Sequence, residues 1–318
     1  MTLAFPTQLR VGYWGLVAQQ NIHPGTIVCD ETPLVSVILD TLHSDWSDDD
    51  KIRFYADEYK TDTKIIKRAL AKVSKDQQDL FRRLVTRSPC WRRDRLDVSR
   101  FELYARVLSS APRDDEGLTC LAVFYKVSYI NHSCRPNAVF SWDGERVIVQ
   151  ATNVIAAGEE IVLDRLPESL QCAIAELRKS YLLQKDSFDC QCRDCHLDTC
   201  KEGDEIRQRL QHLHAELTGI IGSQMTPTSF QARIQRNTTH LSFASEHCSL
   251  IRQLTWQDMR LAGAHVCLAK ALHRSGLLSC AQNHATQAMI VSTGINGYVW
   301  NNLMIEAMEV LQQCLGLE

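Results

Sequence analysis

The sequence predicts an α+β protein: a β-rich unit of small sheets, interrupted by a helical insertion and followed by an all-helical C-terminal region. Three observations lead there. Short β-branched runs split by tight turns occupy residues 9–39 and return after residue 118. Apolar residues at helical spacing fill the stretch between them. Beyond Cys200 the pattern is helical almost throughout. Strands first, helices later, with no regular alternation, argues against a βαβ array.

Taken in order, Leu9–Val11, Gly15–Ala18, Ile27–Cys29 and Leu34–Leu39 read as strands, and His23-Pro24-Gly25 as a turn between two of them. Ser47-Asp48-Asp49-Asp50 is a helix-start signal, because acids suit the positive end of the helix dipole. Lys64–Leu70 and Asp76–Val85 carry apolar residues at helical spacing, Ser88-Pro89 breaks the run, and Phe101–Ser109 resumes it as a helix. Ala111–Gly117 reads as a polar loop.

The apolar run Leu121–Ile130 leads into a polar knot, Asn131-His132-Ser133-Cys134-Arg135-Pro136-Asn137-Ala138. Ala138–Trp142 and Arg146–Ala151 flank Asp143-Gly144, a strong hairpin signal. Ala156-Ala157-Gly158-Glu159-Glu160 is a second turn before Ile161-Val162-Leu163, and Glu168–Leu183 reads as a helix. Further helices are expected at Asp204–Ile221, Ser229–Arg236, His240–Leu254, Trp256–Ser275, Cys280–Thr293 and Val299–Cys314, with Gly276 and Gly294 as stops. Ala262, Ala264, Ala269 and Ala271 allow close helix packing, so the region reads either as a tetratricopeptide-like stack offering a protein-binding surface or as a cap over a cleft.

Composition narrows the class. The net charge of −3 with mixed signs gives no electrostatic footprint for nucleic acid. No apolar run of about 18 residues is present, so no membrane span is expected. Met1–Gln8 lacks a basic region followed by a long apolar core, so no secretory signal is expected. Thirteen cysteines then read as reduced thiols and metal ligands of an intracellular protein, cytoplasmic or nuclear. Cys190, Cys192 and Cys195 offer three zinc ligands from one loop, and a tetrahedral site needs a fourth, from Cys200 nearby or from Cys134 in the knot. Three free thiols so close together would invite oxidation.

Asn131-His132-Ser133-Cys134 with Pro136-Asn137, Gly158-Glu159-Glu160-Ile161 and the Cys190/Cys192/Cys195 cluster together resemble the SET and post-SET regions of SMYD-type and related fungal SET-domain proteins. Gly15-Leu16-Val17-Ala18, Ile22-His23-Pro24-Gly25 and Pro33-Leu34 resemble that family's opening strands. The resemblance implies curved small sheets with a pseudoknot and S-adenosylmethionine-dependent transfer of methyl groups to protein lysines. It divides the chain into the two parts of the SET unit (1–40 and 118–167), a helical insertion (41–117), a post-SET zinc region (168–200) and a helical C-terminal domain (201–318). It favours Cys134 over Cys200 as the fourth zinc ligand. It implies cofactor contacts from Gly15, Leu16, Asn131 and His132, with Phe188 stacked on adenine. The family's zinc-binding MYND insertion is absent, since residues 41–117 hold only Cys90 and His43.

The chain departs from the family where the chemistry sits. Counting from Gly158-Glu159-Glu160, the position of the family's catalytic tyrosine falls on Arg165, a permanent cation that cannot take a tyrosine's part. In R-x-x-x-L-x-x-x-[YF]-x-F-x-C, which fits Arg178, Leu182, Phe188 and Cys190, the aromatic slot holds Asp186. Tyr125 or Tyr181 are candidates to substitute, and Arg165 with Asp186 to form an ion pair in the channel. Tyr13 stands at the first glycine of the opening turn, where a bulky residue would crowd the cofactor. Three functions follow: a methyltransferase with an altered site acting on a protein lysine or a small molecule, a SET scaffold that binds without turnover, or a cavity reused for another reaction such as cyclisation. Cofactor binding and label transfer separate them.

Overall fold

The computed structural model of the chain describes residues 15–38, 63–84, 96–109, 119–142, 144–186, 188–196, 200–222, 229–254, 256, 259–296 and 302–317. Leu9–Val11, Tyr13, Ser47–Asp50 and Ala111–Gly117 lie outside the described residues.

Three three-stranded sheets form the β-rich part. In the first, β1 (Leu16–Val17) and β6 (Asn131–His132) flank β9 (Glu160–Leu163). In the second, β2 (Ile27–Glu31) and β7 (Ala138–Trp142) flank β8 (Val147–Ala151), and Gly144 takes the positive φ of 103° that the tight hairpin needs. In the third, β3 (Val35–Ile38) and β4 (Arg106–Ser109) flank β5 (Thr119–Val123). The first two sheets share a core with Leu16, Ile22, Val28, Phe124, Ile130, Val149, Ile155 and Ile161 buried in it. The third sheet buries Val35, Val37, Leu121 and Val123 against Ile66 and Leu70 of α1 (Thr63–Lys72), Phe81 of α2 (Lys75–Arg83) and Phe101 of α3 (Leu96–Tyr104). A capping box starts α2: Ser74 Oγ accepts from Gln77 N at 3.2 Å and Gln77 Oε1 accepts from Ser74 N at 3.0 Å.

Residues 101–109 are not one helix. The helix ends at Tyr104, and 106–109 pair antiparallel with 119–122. Phe101, Ala105 and Leu108 are all buried, a spacing that suits a helix as well as a turn into a strand. Pairing decides, because β4 satisfies the free edge of β5 opposite β3. The insertion thus contributes a strand as well as helices. The Glu168–Leu183 run also splits, into α4 (Glu168–Gln171) and α5 (Ala175–Asp186).

Beyond lie α6 (Cys200–Gly222), α7 (Phe230–Gln253), α8 (Met259–Arg274), α9 (Leu278–Asn296) and α10 (Asn302–Leu315). Each packs on the next, α10 also reaches α8, and α9 touches β7 and β8 of the hairpin. The two helices expected at 229–236 and 240–254 are one, α7. Asn237, Thr238 and Thr239 read as a break, but their side chains are satisfied without one. Thr238 Oγ1 donates to Ile234 O and Thr239 Oγ1 to Gln235 O, both at 3.0 Å, and Asn237 Nδ2 reaches Arg274 O at 3.0 Å. Gly276 (φ 77°) ends α8 as expected, whereas Gly294 lies inside α9. No helix among the described residues is long and apolar enough to cross a membrane.

Candidate cofactor cleft and four-cysteine centre

The polar knot is held by a parallel pairing that sequence distance does not suggest. Asn131 and His132 of β6 lie opposite Val162 and Leu163 of β9, while β1 runs antiparallel along the other edge of β9. Ser133 N extends the ladder to Leu163 O at 3.0 Å. Asn137 then pins the far end of the knot. Its Nδ2 donates to Glu160 O at 2.8 Å and its Oδ1 accepts from Val162 N at 2.9 Å, while its own carbonyl accepts from Thr152 N at 2.9 Å. Each of these buried bonds is worth on the order of 1 kcal/mol, and more if one partner is left unpaired.

Cys134, at the knot's midpoint, meets Cys190, Cys192 and Cys195. Their sulfurs all lie within 4.8 Å of one another, and Cys134 Sγ is 3.5 Å from Cys195 Sγ. Four sulfurs around zinc at about 2.3 Å would be separated by about 3.8 Å, so the group fits a tetrahedral ion. Cys200 starts α6 and stands outside the group. Bonds within the group push the Cys192 and Cys195 thiols down, that with Cys134 first, and the Cys134 and Cys190 thiols up, so the four share their protons as one set.

The surroundings of the four sulfurs are buried and charged. Arg178 of α5 is 0% exposed. It points Nε at Cys134 Sγ (3.3 Å) and Nη2 at Cys195 Sγ (3.6 Å) and Asp194 O (2.7 Å). Asp194 sits between Arg135 (2.5 Å) and Arg207 of α6. The Cys134 carbonyl accepts from Arg207 Nη2 and Trp256 Nε1, each at 3.2 Å. Arg260 of α8 stacks on the Trp256 ring at 3.8 Å and pairs with Asp164 at 2.8 Å. Sequence reasoning missed Asn137, Asp194, Arg207 and Trp256. Arg178 was visible in the family pattern with no role attached. A charged residue next to ligand Cys195 and two positions after Cys192 was the available signal for Asp194. Arg207 and Trp256 had none, because their role depends on how α6 and α8 fold back.

Gly15, Asn131 and Glu160 come together where β1, β9 and β6 lie side by side. Asn131 Nδ2 donates to Glu160 Oε1 at 2.6 Å. A Cβ on Gly15 would fall 2.0 Å from that Oε1 and 3.1 Å from Asn131 Nδ2, so only glycine leaves the carboxylate in place. Leu16 is buried in the sheet core, so only its backbone can face a ligand. His132 is engaged at both ring nitrogens. Nδ1 accepts from Arg165 N at 3.0 Å, and Nε2 lies 3.4 Å from Cys134 Sγ. Phe188 sets its ring edge-on to His132, 6.2 Å between centroids.

Arg165 follows β9 and turns its Nη2 onto Ile130 O at 2.6 Å, immediately before Asn131. Asp186 ends α5, and its side chain lies outside the described ones, as does any pair it forms with Arg165. Tyr125 packs on the α1–α3 side with its ring edge-on to Tyr129 at 5.4 Å. Burial first, then the bond from Tyr125, pushes the Tyr129 phenol up.

Residues 13–164 match the SET domain family. The chain is 39% identical over 79 residues to protein-lysine N-methyltransferase SMYD4 of Mus musculus, covering 25% of this chain and 10% of that one. It is 29% identical over 189 residues to histone-lysine N-methyltransferase set5 of Schizosaccharomyces pombe, covering 59% and 48%. It is 26% identical over 157 residues to histone-lysine N-methyltransferase SMYD3 of Homo sapiens, covering 44% and 36%. The matches thus span less than half the length of these relatives.

Proposed function

We propose that this chain, which carries a SET domain over residues 13–164, is an S-adenosylmethionine-dependent methyltransferase with an altered acceptor site and a zinc centre at Cys134, Cys190, Cys192 and Cys195. The observation that carries this reading is the cradle at Gly15, where the Glu160 carboxylate is held against Asn131 with no room for a side chain. An anionic wall suits a cofactor that bears both a sulfonium and an ammonium.

S-adenosylmethionine would supply an electrophilic methyl group. The chain's own part is to bind, orient and exclude water. β6 presents Asn131 and His132 in register with β9. His132 is fixed by Arg165 N and the cysteine centre, so its backbone cannot rotate away. Phe188, edge-on to His132, would stack on the adenine. The acceptor must arrive as a neutral nucleophile, and a lysine must lose a proton first. Arg165 bears on that step. A permanent cation beside an incoming ammonium disfavours its charged form and so assists loss of that proton, but it opposes the positive charge that grows on the accepting nitrogen as the methyl arrives. Protein lysines, the acceptors named for the relatives, would be hindered at that second stage unless the guanidinium stays on Ile130 O, and an acceptor whose attacking atom ends uncharged would suffer less.

Calorimetry with S-adenosylmethionine, followed by transfer of labelled methyl groups to a lysine-rich protein, tests this. Binding with transfer, raised by Arg165→Tyr, is the expected result. Absence of binding would overturn it. A second reading, a scaffold that binds without turnover, is favoured by one observation: the Arg165 guanidinium is fastened to the carbonyl before Asn131. Tight binding with no transfer by either the wild type or Arg165→Tyr would favour that reading.

A further inference from the structure

The apolar core of the C-terminal helices is self-contained: among the described residues, Cys172 is the one member contributed from before α6. What joins these helices to the SET domain at the knot is polar and buried. Arg207 and Asp194 are each 1% exposed, and so is Trp256. We propose that occupancy of the four-cysteine centre by its metal seats the C-terminal helices on the knot, with Arg178 and Arg207 as the positioning residues that carry the coupling. This rests on the metal reading above.

Apart from Arg207 Nη1 on Gln171 O (2.7 Å), Arg260 on Asp164 (2.8 Å) and the bonds to Asp204, the polar contacts at the joint pass through Cys134 and Asp194. Cys134 contributes its sulfur to the centre and its carbonyl to Arg207 and Trp256, so moving one atom moves the anchor of the other. Asp194 lies between ligands Cys192 and Cys195 in residues 188–196, which form no helix or strand. Its carbonyl holds Arg178 and its carboxylate holds Arg207. Arg178 reaches across to Asp204 of α6 at 3.2 Å, and that same Asp204 oxygen caps the start of α5 through Ala175 N at 2.8 Å. A loop without secondary structure keeps such a geometry only if its cysteines are tied together. Metal-bound thiolates also remain anionic, adding to the Asp204 carboxylate as counter-charge for the fully buried Arg178 guanidinium. Release of the metal frees the loop and takes away part of that counter-charge, which costs a buried cation. Arg207 and Trp256 then lose the Cys134 carbonyl, and Arg207 the Asp194 carboxylate, leaving Arg260 on Asp164 and Arg207 on Gln171 O to hold the joint.

Hydrogen exchange on the full chain, with and without a strong zinc chelator, tests the coupling, with the metal content of each sample measured in parallel. The expected result is one zinc per chain and at least tenfold faster exchange in residues 200–222 and 259–274 on chelation, with residues 147–151 unaffected. In Arg207→Met those helices should exchange fast even with metal bound and respond little to chelation. Trp256→Phe, which keeps an aromatic ring under Arg260 and removes the bond to Cys134 O together with the indole's second ring, should give a smaller change of the same kind should Arg207→Met fail to fold. Metal bound at one per chain with the same exchange before and after chelation would overturn the coupling alone. A chain that holds no metal would overturn the metal centre and the coupling with it.

Discussion

Cys134 and Gly15 show how much a single position can determine. Cys134 was one of two candidates for the fourth ligand, and the parallel β6–β9 pairing brings it to the other three while Cys200 stays in α6. Cys134→Ser should therefore abolish stoichiometric zinc, measured by elemental analysis, and Cys200→Ser should leave it at one per chain. Gly15 is needed for space, since its backbone is not in the left-handed region. Gly15→Ala would drive Glu160 off Asn131 without disturbing the sheet core. Affinity for S-adenosylmethionine should fall at least about tenfold, or roughly 1.4 kcal/mol, by calorimetry, with the unfolding midpoint little changed. Unaltered affinity would show that the ligand does not use this wall. Both residues were legible in the sequence because they sit in dense local motifs. Asn137 sat in the same motif, yet its task of stitching Glu160 and Val162 to the knot was not legible, because its partners lie 23 and 25 residues away.

At the scale of elements, strands bounded by turn residues were read well, and helices were read well where one face is apolar. The misreadings come from tertiary partners. β4 was taken for helix because its pairing with β5 decides its state, and α7 was cut in two because back-bonded threonines looked like a break. The helical region also holds buried histidines that sequence alone did not mark. His265 of α8 meets His284 of α9 through Nδ1 atoms 2.8 Å apart, and Arg252 of α7 approaches its Nε2 at 3.1 Å. Burial first, then His284 and Arg252, lowers His265 to about 4. Burial and then two arginines, Arg274 and Arg236, do the same for His240. The folded state thus binds fewer protons than the unfolded state between about pH 6.5 and 4. Stability is full above that window and falls as pH drops through it, by at most about 3 kcal/mol for each group. Thermal unfolding followed by circular dichroism should show the midpoint falling between pH 6.5 and 4, and His240→Gln or His265→Gln should flatten the slope. A midpoint independent of pH across this window would contradict the buried, neutral assignment.

Across the whole molecule, the cysteines divide into groups with distinct reactivity, and that division reports on the architecture. Cys280 on α9 is exposed, whereas Cys29 is buried in the sheet core and Cys267 is half-buried against the helical one. Burial, followed by the Glu31 carboxylate, pushes the Cys29 thiol up to about 12, and burial pushes Cys267 up to about 11, so neither offers much thiolate at neutral pH. Under the proposed metal centre the four clustered cysteines would behave differently, withheld by coordination as well as by burial. Alkylation of the native chain followed by mass spectrometry should modify Cys280 first among the described cysteines and leave Cys29 and Cys267 unmodified. Chelation should then add Cys134, Cys190, Cys192 and Cys195 as a set, because losing one ligand releases the other three. If α6 and α8 are seated through the same centre, Cys267 on α8 should become reactive only after that set does. Its modification at the same rate with metal present and absent would mean that the helical region keeps its own packing whatever the state of the knot.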